Sequence, residues 1–369
     1  MLRRLLDLDF VVLSVISVLC LLSVVVLYGI FGATDFAHLP VRQSFFAGLS
    51  LFALIILGLS QYDFLRTFST LIYIFGLCFL VFVLFFGVEI NGTVGWIDMG
   101  FALLQPVEFA KIALIVFLAH FISYKRAHLG EGATIIGSIF FTGLYVFLVL
   151  MQPDAGSALV LIAIWSCMIL VAGIRKRSIV VFALLGVCLA WCGWLLLAPY
   201  QKDRIATFLH PEQDPQNTGY NVIQSLIAIG NGGFTGRGVG GGTQSSLNFL
   251  PEQHTDFIFA SYTEAFGFLG SLCLLILFGV IFFRLYRTAQ FARDAFGYFL
   301  CIGVMTLLFV HVTVNIGMNM GLLPVTGIPL PFVSYGGSAL LSMSIAMGIV
   351  MSVYRMRQKI QDRYIRESY

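Results

Sequence analysis

The stretch LPEQHTDFIFASYTEAFG, Leu250 to Gly267, brings Glu252, His254, Asp256 and Glu264 to the mouth of a long apolar run. Carboxylates so placed can take or give a proton, or share a cation with an anionic substrate. Related groups stand at the edges of other apolar runs. QPVEFAK holds Gln105, Glu108 and Lys111, and QPDAGS holds Asp154. A lysine beside such acids could stabilise negative charge on a leaving group. Each group also has a structural reading, because ionisable side chains in apolar segments are costly and usually face a cavity or a partner. Glu108 and Lys111, three residues apart on a helix, can pair with each other, or Lys111 can pair with Asp154. Thr255 or Asp256 can cap the helix that follows.

The elements that must position these groups are membrane helices. Hydrophobic residues make up 59% of the 369 and charged residues 11%, against about 25% charged in an ordinary soluble domain. Apolar runs of about 18 residues or more recur along the chain, so the reading is an all-α integral membrane protein forming one polytopic domain over 1–369. Ten spans are expected, at 10–32, 43–60, 66–87, 104–123, 133–151, 155–172, 178–198, 257–284, 296–321 and 330–354. With the N-terminus cytoplasmic, the inner segments carry 16 Lys and Arg and the outer ones only Arg42, Lys202, Arg204 and Arg237. That asymmetry puts both termini in the cytoplasm and the long 199–255 connection, between the seventh and eighth helices, outside. The apolar part of the N-terminus is too long for a typical cleaved signal and reads as a retained first helix.

This topology gathers Glu108, Lys111, Asp154, Asp256 and Glu264 at one outer face, although they come from elements far apart in the chain. Two further segments reach the same level. VNIGMNMG ends the ninth helix, and PLPFVSYGGS, with Pro324, Pro329, Pro331, Gly327, Gly336 and Gly337 around it, marks a non-ideal re-entry into the membrane.

Other motifs carry less. Gly236, Gly238 and Gly241 fit G-x-G-x-x-G, but no strand precedes them and no G-K-[ST] follows, which argues against a dinucleotide site or a P-loop. The stretch reads as a turn-rich loop, or as backbone N–H groups near a lipid pyrophosphate with Arg204 or Arg237. LIAIGNGGF before it reads as a short amphipathic helix on the membrane surface. The six histidines lack ligand spacing and no dedicated metal site is expected, although a Mg2+ or Mn2+ held weakly between carboxylates and substrate phosphates would need few protein ligands. All seven cysteines lie in apolar runs and read as small core hydrophobes.

The blocks NGTVGWIDMGFALLQPVEFAK, QPDAGSAL, GYNVIQSLIAIGNGGFTGRG, GTQSSLNFLPEQHTDFIFA and VNIGMNMGLLPVTGIPLPFVSYGGSAL, spread from about Asn91 to Leu341, resemble the signature blocks of the SEDS family, in its rod-shape rather than its division branch. The resemblance implies a peptidoglycan glycosyltransferase. Such an enzyme polymerises lipid II at the outer face of the cytoplasmic membrane during cell elongation, makes β-1,4 links and releases undecaprenyl pyrophosphate. It implies as partners a class B penicillin-binding protein and other elongation-complex membrane proteins, and no nucleic acid. Residue by residue it makes Asp256 the catalytic acid/base. Glu108, Lys111 and Asp154 then belong to the substrate site, joined by Arg204, Glu252 and Glu264. Family members usually carry Arg where this chain has Gly95 and Ser where it has Val107. A lipid II flippase is the alternative activity, served by buried charges and broken helices, and a non-catalytic scaffold is a third.

Overall fold

The computed structural model describes residues 7–32, 36–90, 92–100, 102–125, 132–173, 218–247 and 249–367. The expected span at 178–198, Arg204, Cys188 and Cys192 lie outside them, as does the first part of the 199–255 connection. The described chain forms α1 (Phe10–Phe31), α2 (His38–Leu59), α3 (Asp63–Thr67), α4 (Ser69–Phe86), α5 (Pro106–Tyr124), α6 (Gly132–Met151), α7 (Ala155–Val171), α8 (Thr218–Gly232), α9 (Thr243–Ser246), α10 (Ile258–Gln290), α11 (Ala295–Asn319) and α12 (Gly337–Glu367). Eight of these are long and apolar enough to cross a membrane, and α7, at 17 residues, is a shorter apolar helix. Together they coincide with nine of the ten spans expected from the sequence.

Helix ends follow local chemistry. Asp9, Asp154 and Asp294 each precede a helix and accept a backbone N–H from its first turn, at 3.3, 2.9 and 2.8 Å. Pro106 opens α5, where its missing N–H costs nothing. Helices α5 and α12 form the middle of the bundle, with 72% of their apolar windows buried, and α11 follows at 67%. The windows of α2, α4 and α10 are 28% buried and present Phe, Leu and Ile outward, as lipid-facing helices do. Cys20 and Cys301 are core residues as expected, whereas Cys78 and Cys273 are exposed on these outward faces beside Phe75 and Ile276.

Three departures from the sequence reading matter. A small antiparallel sheet, β1 (Val88–Ile90), β2 (Thr93–Asp98) and β3 (Leu103–Leu104), fills the connection before α5. Helix α12 begins at Gly337 rather than near 330, because residues 322–336 run as irregular backbone. And α10 is not continuous: Gly267 sits at φ 67°, ψ −163°, and breaks the helix in its first third.

Candidate active site

The Glu252–Asp256 stretch is a tight turn that ends against α10. Glu252 takes φ 48°, and its carbonyl accepts the amides of Thr255, Asp256 and Phe257, each at 3.2 Å. Its carboxylate is exposed and accepts the Thr255 hydroxyl at 3.0 Å. Neither Thr255 nor Asp256 is the cap residue of α10. That position falls to Phe257, which makes no side-chain cap bond. The turn is held instead from α11, whose Asn315 and Asn319 side-chain amides donate to the Asp256 carbonyl at 3.0 and 2.9 Å. Asn319 Oδ1 also accepts the Ala260 amide at 3.1 Å, so it serves as a cap supplied from a neighbouring helix.

The Asp256 carboxylate points to Gly327. A β-carbon on that glycine, which has φ 74°, would stand 3.6 Å from Oδ2. Gly327 belongs to the irregular segment between α11 and α12, and such backbone within a membrane bundle must find its partners inside the protein. It does. Ile328 O accepts Asn315 Nδ2 at 2.9 Å and Pro329 O faces His311 Nδ1 at 3.2 Å. Tyr335 N donates to His254 O at 2.8 Å, and Ser334 Oγ donates to Thr255 O at 2.6 Å. Buried Gln43 of α2 donates to Ser334 O at 3.2 Å. Phe332 is fully buried at φ 64°, a strained conformation for a bulky residue that only dense surroundings maintain. On its other side the same segment meets the start of α7, where a β-carbon on Gly156 would stand 2.7 Å from Thr326 O. Residues Thr326–Ile328 thus form a wall between the α7 cap, Asp154, and the Asp256 turn.

Asp154 is half-buried, and its carboxylate accepts Ser157 N. It makes no ion pair with Lys111. The ammonium of Lys111 is taken by Glu108 Oε1 at 2.7 Å, one turn earlier on α5, and by His311 Nε2 at 3.2 Å. Lys111 and Glu108 are 1% and 2% exposed. Of the two pairings open in the sequence, the structure forms the one within α5, because the i,i+3 spacing already brings the groups together. Ser342 of α12 approaches Glu108 Oε2 at 3.5 Å.

Glu264 is fully buried and does not open toward Asp256. Its carboxylate accepts Gln244 N at 2.9 Å and Ser245 N and Oγ at 3.0 and 2.6 Å, and so caps the four-residue α9. This explains the glycine stretch. At the break in α10, Arg237 N and Gly238 N donate to the carbonyls of Glu264 and Ala265, while Phe268 N and Leu269 N donate to those of Gly233 and Phe234. Backbone passes backbone so closely that a β-carbon on Gly236 would stand 2.2 Å from Ala265 O, and one on Gly267 2.3 Å from Gly236 N. The loop is an ordered splice across a broken helix. The N–H groups of Arg237 and Gly238 are committed to that splice, not presented to a phosphate. The amphipathic helix before it runs over Thr218–Gly232 and packs on α10, with Ser225 donating to Asn319 O at 2.8 Å.

His254 lies between the Phe31 and Tyr335 rings, at centroid distances of 5.6 and 5.5 Å. Burial lowers its pKa below the ordinary imidazole value, against a weaker raising effect of Glu252. Among the described residues no three His, Cys, Asp or Glu side chains converge as a cation cage. The enclosed space beside His311 and Leu330 is about 10 Å³, enough for one water and not for a sugar.

The family model for FtsW, RodA and SpoVE, described as cell cycle proteins, matches residues 3–359. The chain belongs to this SEDS family. It is 40% identical over 321 residues to stage V sporulation protein E of Bacillus subtilis, covering 85% of this chain and 86% of that protein. It is 41% identical over 290 residues to the peptidoglycan glycosyltransferase MrdB of Escherichia coli K12, covering 78% of each. Among solved structures, a chain of a peptidoglycan synthase complex, studied for its coordination of polymerization and crosslinking, superposes with a TM-score of 0.81. It is 29% identical and is covered over 95% of this chain and 98% of its own. The rod shape determining protein RodA of Thermus thermophilus gives a TM-score of 0.70 at 28% identity, over 95% and 97% of the two chains.

The residues that hold the Asp256 turn and the re-entrant segment were not singled out in the sequence. His311, Asn315 and Asn319 follow one another at intervals of four, a single helical face visible in the sequence once the helix is drawn. Gly95, where the family usually has Arg, lies in β2 with its missing side chain aimed at Gln152 Oε1, 3.7 Å from the position of a β-carbon.

Proposed function

We propose that this SEDS protein is a peptidoglycan glycosyltransferase that polymerises lipid II into glycan strands at the outer face of the cytoplasmic membrane. Asp256 acts as its catalytic base. The observation that carries the reading is a carboxylate on a braced turn, beside a broken re-entrant segment, in a chain that the family model spans almost end to end. Relatives named as peptidoglycan glycosyltransferases support the reaction class, and the likeness to a chain of a peptidoglycan synthase complex supports a class B penicillin-binding protein as partner. The excess of Lys and Arg in the segments at the other end of the bundle supports an outward-facing site. A role in elongation rests on the rod-shape blocks and on RodA and MrdB as relatives, alongside comparable likeness to the sporulation protein.

In this mechanism the Asp256 carboxylate takes the proton from the attacking sugar hydroxyl as the oxygen bonds to the anomeric carbon. The bond from that carbon to the lipid pyrophosphate breaks, and undecaprenyl pyrophosphate leaves. Lys111 is buried against Glu108 and His311, so its contribution is to brace α5 against α11 and not to meet the phosphates. A cation for the leaving group is proposed from Arg204, or from a weakly held Mg2+ or Mn2+. Such an ion, carried mainly by the substrate phosphates, would need only Asp256 or Glu252 from the protein and would supply charge neutralisation. The test is conversion of labelled lipid II by the purified protein with its partner in detergent. Long glycan strands support the reading; no strands, with lipid II crossing restored in vesicles, would point to a flippase.

A further inference from the structure

The face of α11 that carries His311, Asn315 and Asn319 touches both the Asp256 turn and the re-entrant backbone beside it, and the partners of His311 decide how that contact works. An ammonium has donors only. Toward Lys111 Nζ, 3.2 Å away, His311 Nε2 must therefore be the acceptor. In a neutral imidazole the hydrogen then sits on Nδ1. There it meets the Pro329 carbonyl at 3.2 Å. The ring is a one-way connector: Lys111 donates into it, and it donates into the re-entrant backbone. The opposite tautomer would set donor against donor at Lys111 and lone pair against lone pair at Pro329.

We propose that His311 is a positioning residue for glycosyl transfer, tying the Glu108–Lys111 pair of α5 to Pro329 and so fixing the Thr326–Ile328 wall against the Asp256 carboxylate. It acts through Pro329 and does not touch the substrate. Two consecutive carbonyls of the segment, Ile328 O and Pro329 O, are held by residues one turn apart on α11. The first of these residues in contact with the wall, Asn315, reaches across to the Asp256 carbonyl as well. A shift of the wall is thereby a shift of the space beside the carboxylate, because the place a β-carbon would take on Gly327 lies 3.6 Å from Asp256 Oδ2. Misplacement by about 1 Å can cost about 100-fold in turnover. The inference rests on Asp256 being the base, as proposed above.

Three substitutions separate the two bonds of the ring. His311→Asn keeps a donor near the place of Nδ1 and loses the reach to Lys111. His311→Gln keeps the reach to Lys111 and loses the donor to Pro329, and His311→Phe loses both. The full-length variants with their partner are assayed for kcat and KM on lipid II, for melting, and for backbone amide exchange across residues 330–336. The expected result is a fall in kcat of about 10- to 100-fold for His311→Phe and His311→Gln, with KM within about threefold and faster exchange in that segment. His311→Asn, which keeps the bond to Pro329 and loses the tie to Lys111, should recover part of the kcat lost in His311→Phe and part of the slow exchange. Wild-type kcat in His311→Phe, or rescue by Gln as good as by Asn, would overturn the proposal. If His311→Phe does not fold, the Asn and Gln pair decides alone. If the wild type makes no polymer, it is the reaction that was misread, and the exchange comparison still tests the positioning.

Discussion

At one end of the bundle Asp9, Asp63 and Asp294 each meet an arginine: Arg284 at 2.7 Å, Arg293 at 3.5 Å, and Arg66 in close contact. At the other end Asp154 and Glu264 are held by neutral donors, backbone amides and a serine hydroxyl, and Glu252 by a threonine hydroxyl. The backbone differs in the same sense. The arginine end has helices that run straight out with conventional caps, whereas the Asp256 end has the Gly267 break, the positive φ of Glu252 and Phe332, and an irregular segment of 15 residues, 322–336. Acids neutralised by arginine on continuous helices are a structural arrangement. Acids held without a cation beside broken and positive-φ backbone mark the end where the Asp256 turn stands.

The buried Glu108–Lys111 pair, in the first turns of α5 at the Asp256 end, is an exception there, an acid neutralised by a cation, and breaking it should have the largest effect on stability. Lys111→Met leaves a carboxylate in the core with only a serine near it, which should destabilise the fold by about 3–5 kcal/mol. Chemical or thermal unfolding measures it, and the double variant with Glu108→Gln should recover much of the loss. Additive losses would show that the pair is not coupled. The splice at the break comes next. Glu264→Gln replaces an acceptor of three bonds by an amide that turns two hydrogens on donors, at about 1–3 kcal/mol, and should loosen the glycine loop to proteolysis before it affects turnover.

The arginine end gives a smaller response. Asp294→Ala removes the cap of α11 together with a partly exposed ion pair, for about 1–2 kcal/mol in all, and polymerisation per folded molecule should stay near wild type. A large loss of turnover there would erase the distinction between the ends. The smallest effect is on pH. His254 is folded with its pKa depressed, so the unfolded chain takes up a proton first as pH falls below the ordinary value of 6.5. Its contribution is therefore present above that value and declines beneath it. Melting should fall between pH 7 and pH 5.5, and His254→Phe should remove this group's part of the slope.

The membrane class, nine of the spans and the gathering of acids at one face were legible because the bilayer demands long apolar runs, and caps such as Asp154 and Asp294 mark their ends. What was not legible depends on contacts between distant segments. The break at Gly267 is invisible from α10 alone, since a single glycine in an apolar run is ordinary. It becomes necessary only because Gly236 lies against it. Likewise Glu264 looked like a member of the site by topology and proves to be the anchor of a loop. The sheet before α5 did leave a trace, as V-E-I-N-G-T-V carries the alternation and the Asn-Gly pair of a hairpin, hidden among apolar runs read for helical length.

The central claim is that Asp256 supplies the base, and Asp256→Asn tests it most directly. Asparagine keeps the backbone carbonyl that Asn315 and Asn319 hold and the volume beside Gly327, yet it has no carboxylate to accept a proton. Lipid II polymerisation by the purified variant with its partner should fall by about 100- to 10,000-fold, with melting and partner binding at wild-type values and with Glu252→Gln close to wild type in the same assay. Polymerisation by Asp256→Asn within a few-fold of wild type would contradict the account and move the base to the exposed Glu252.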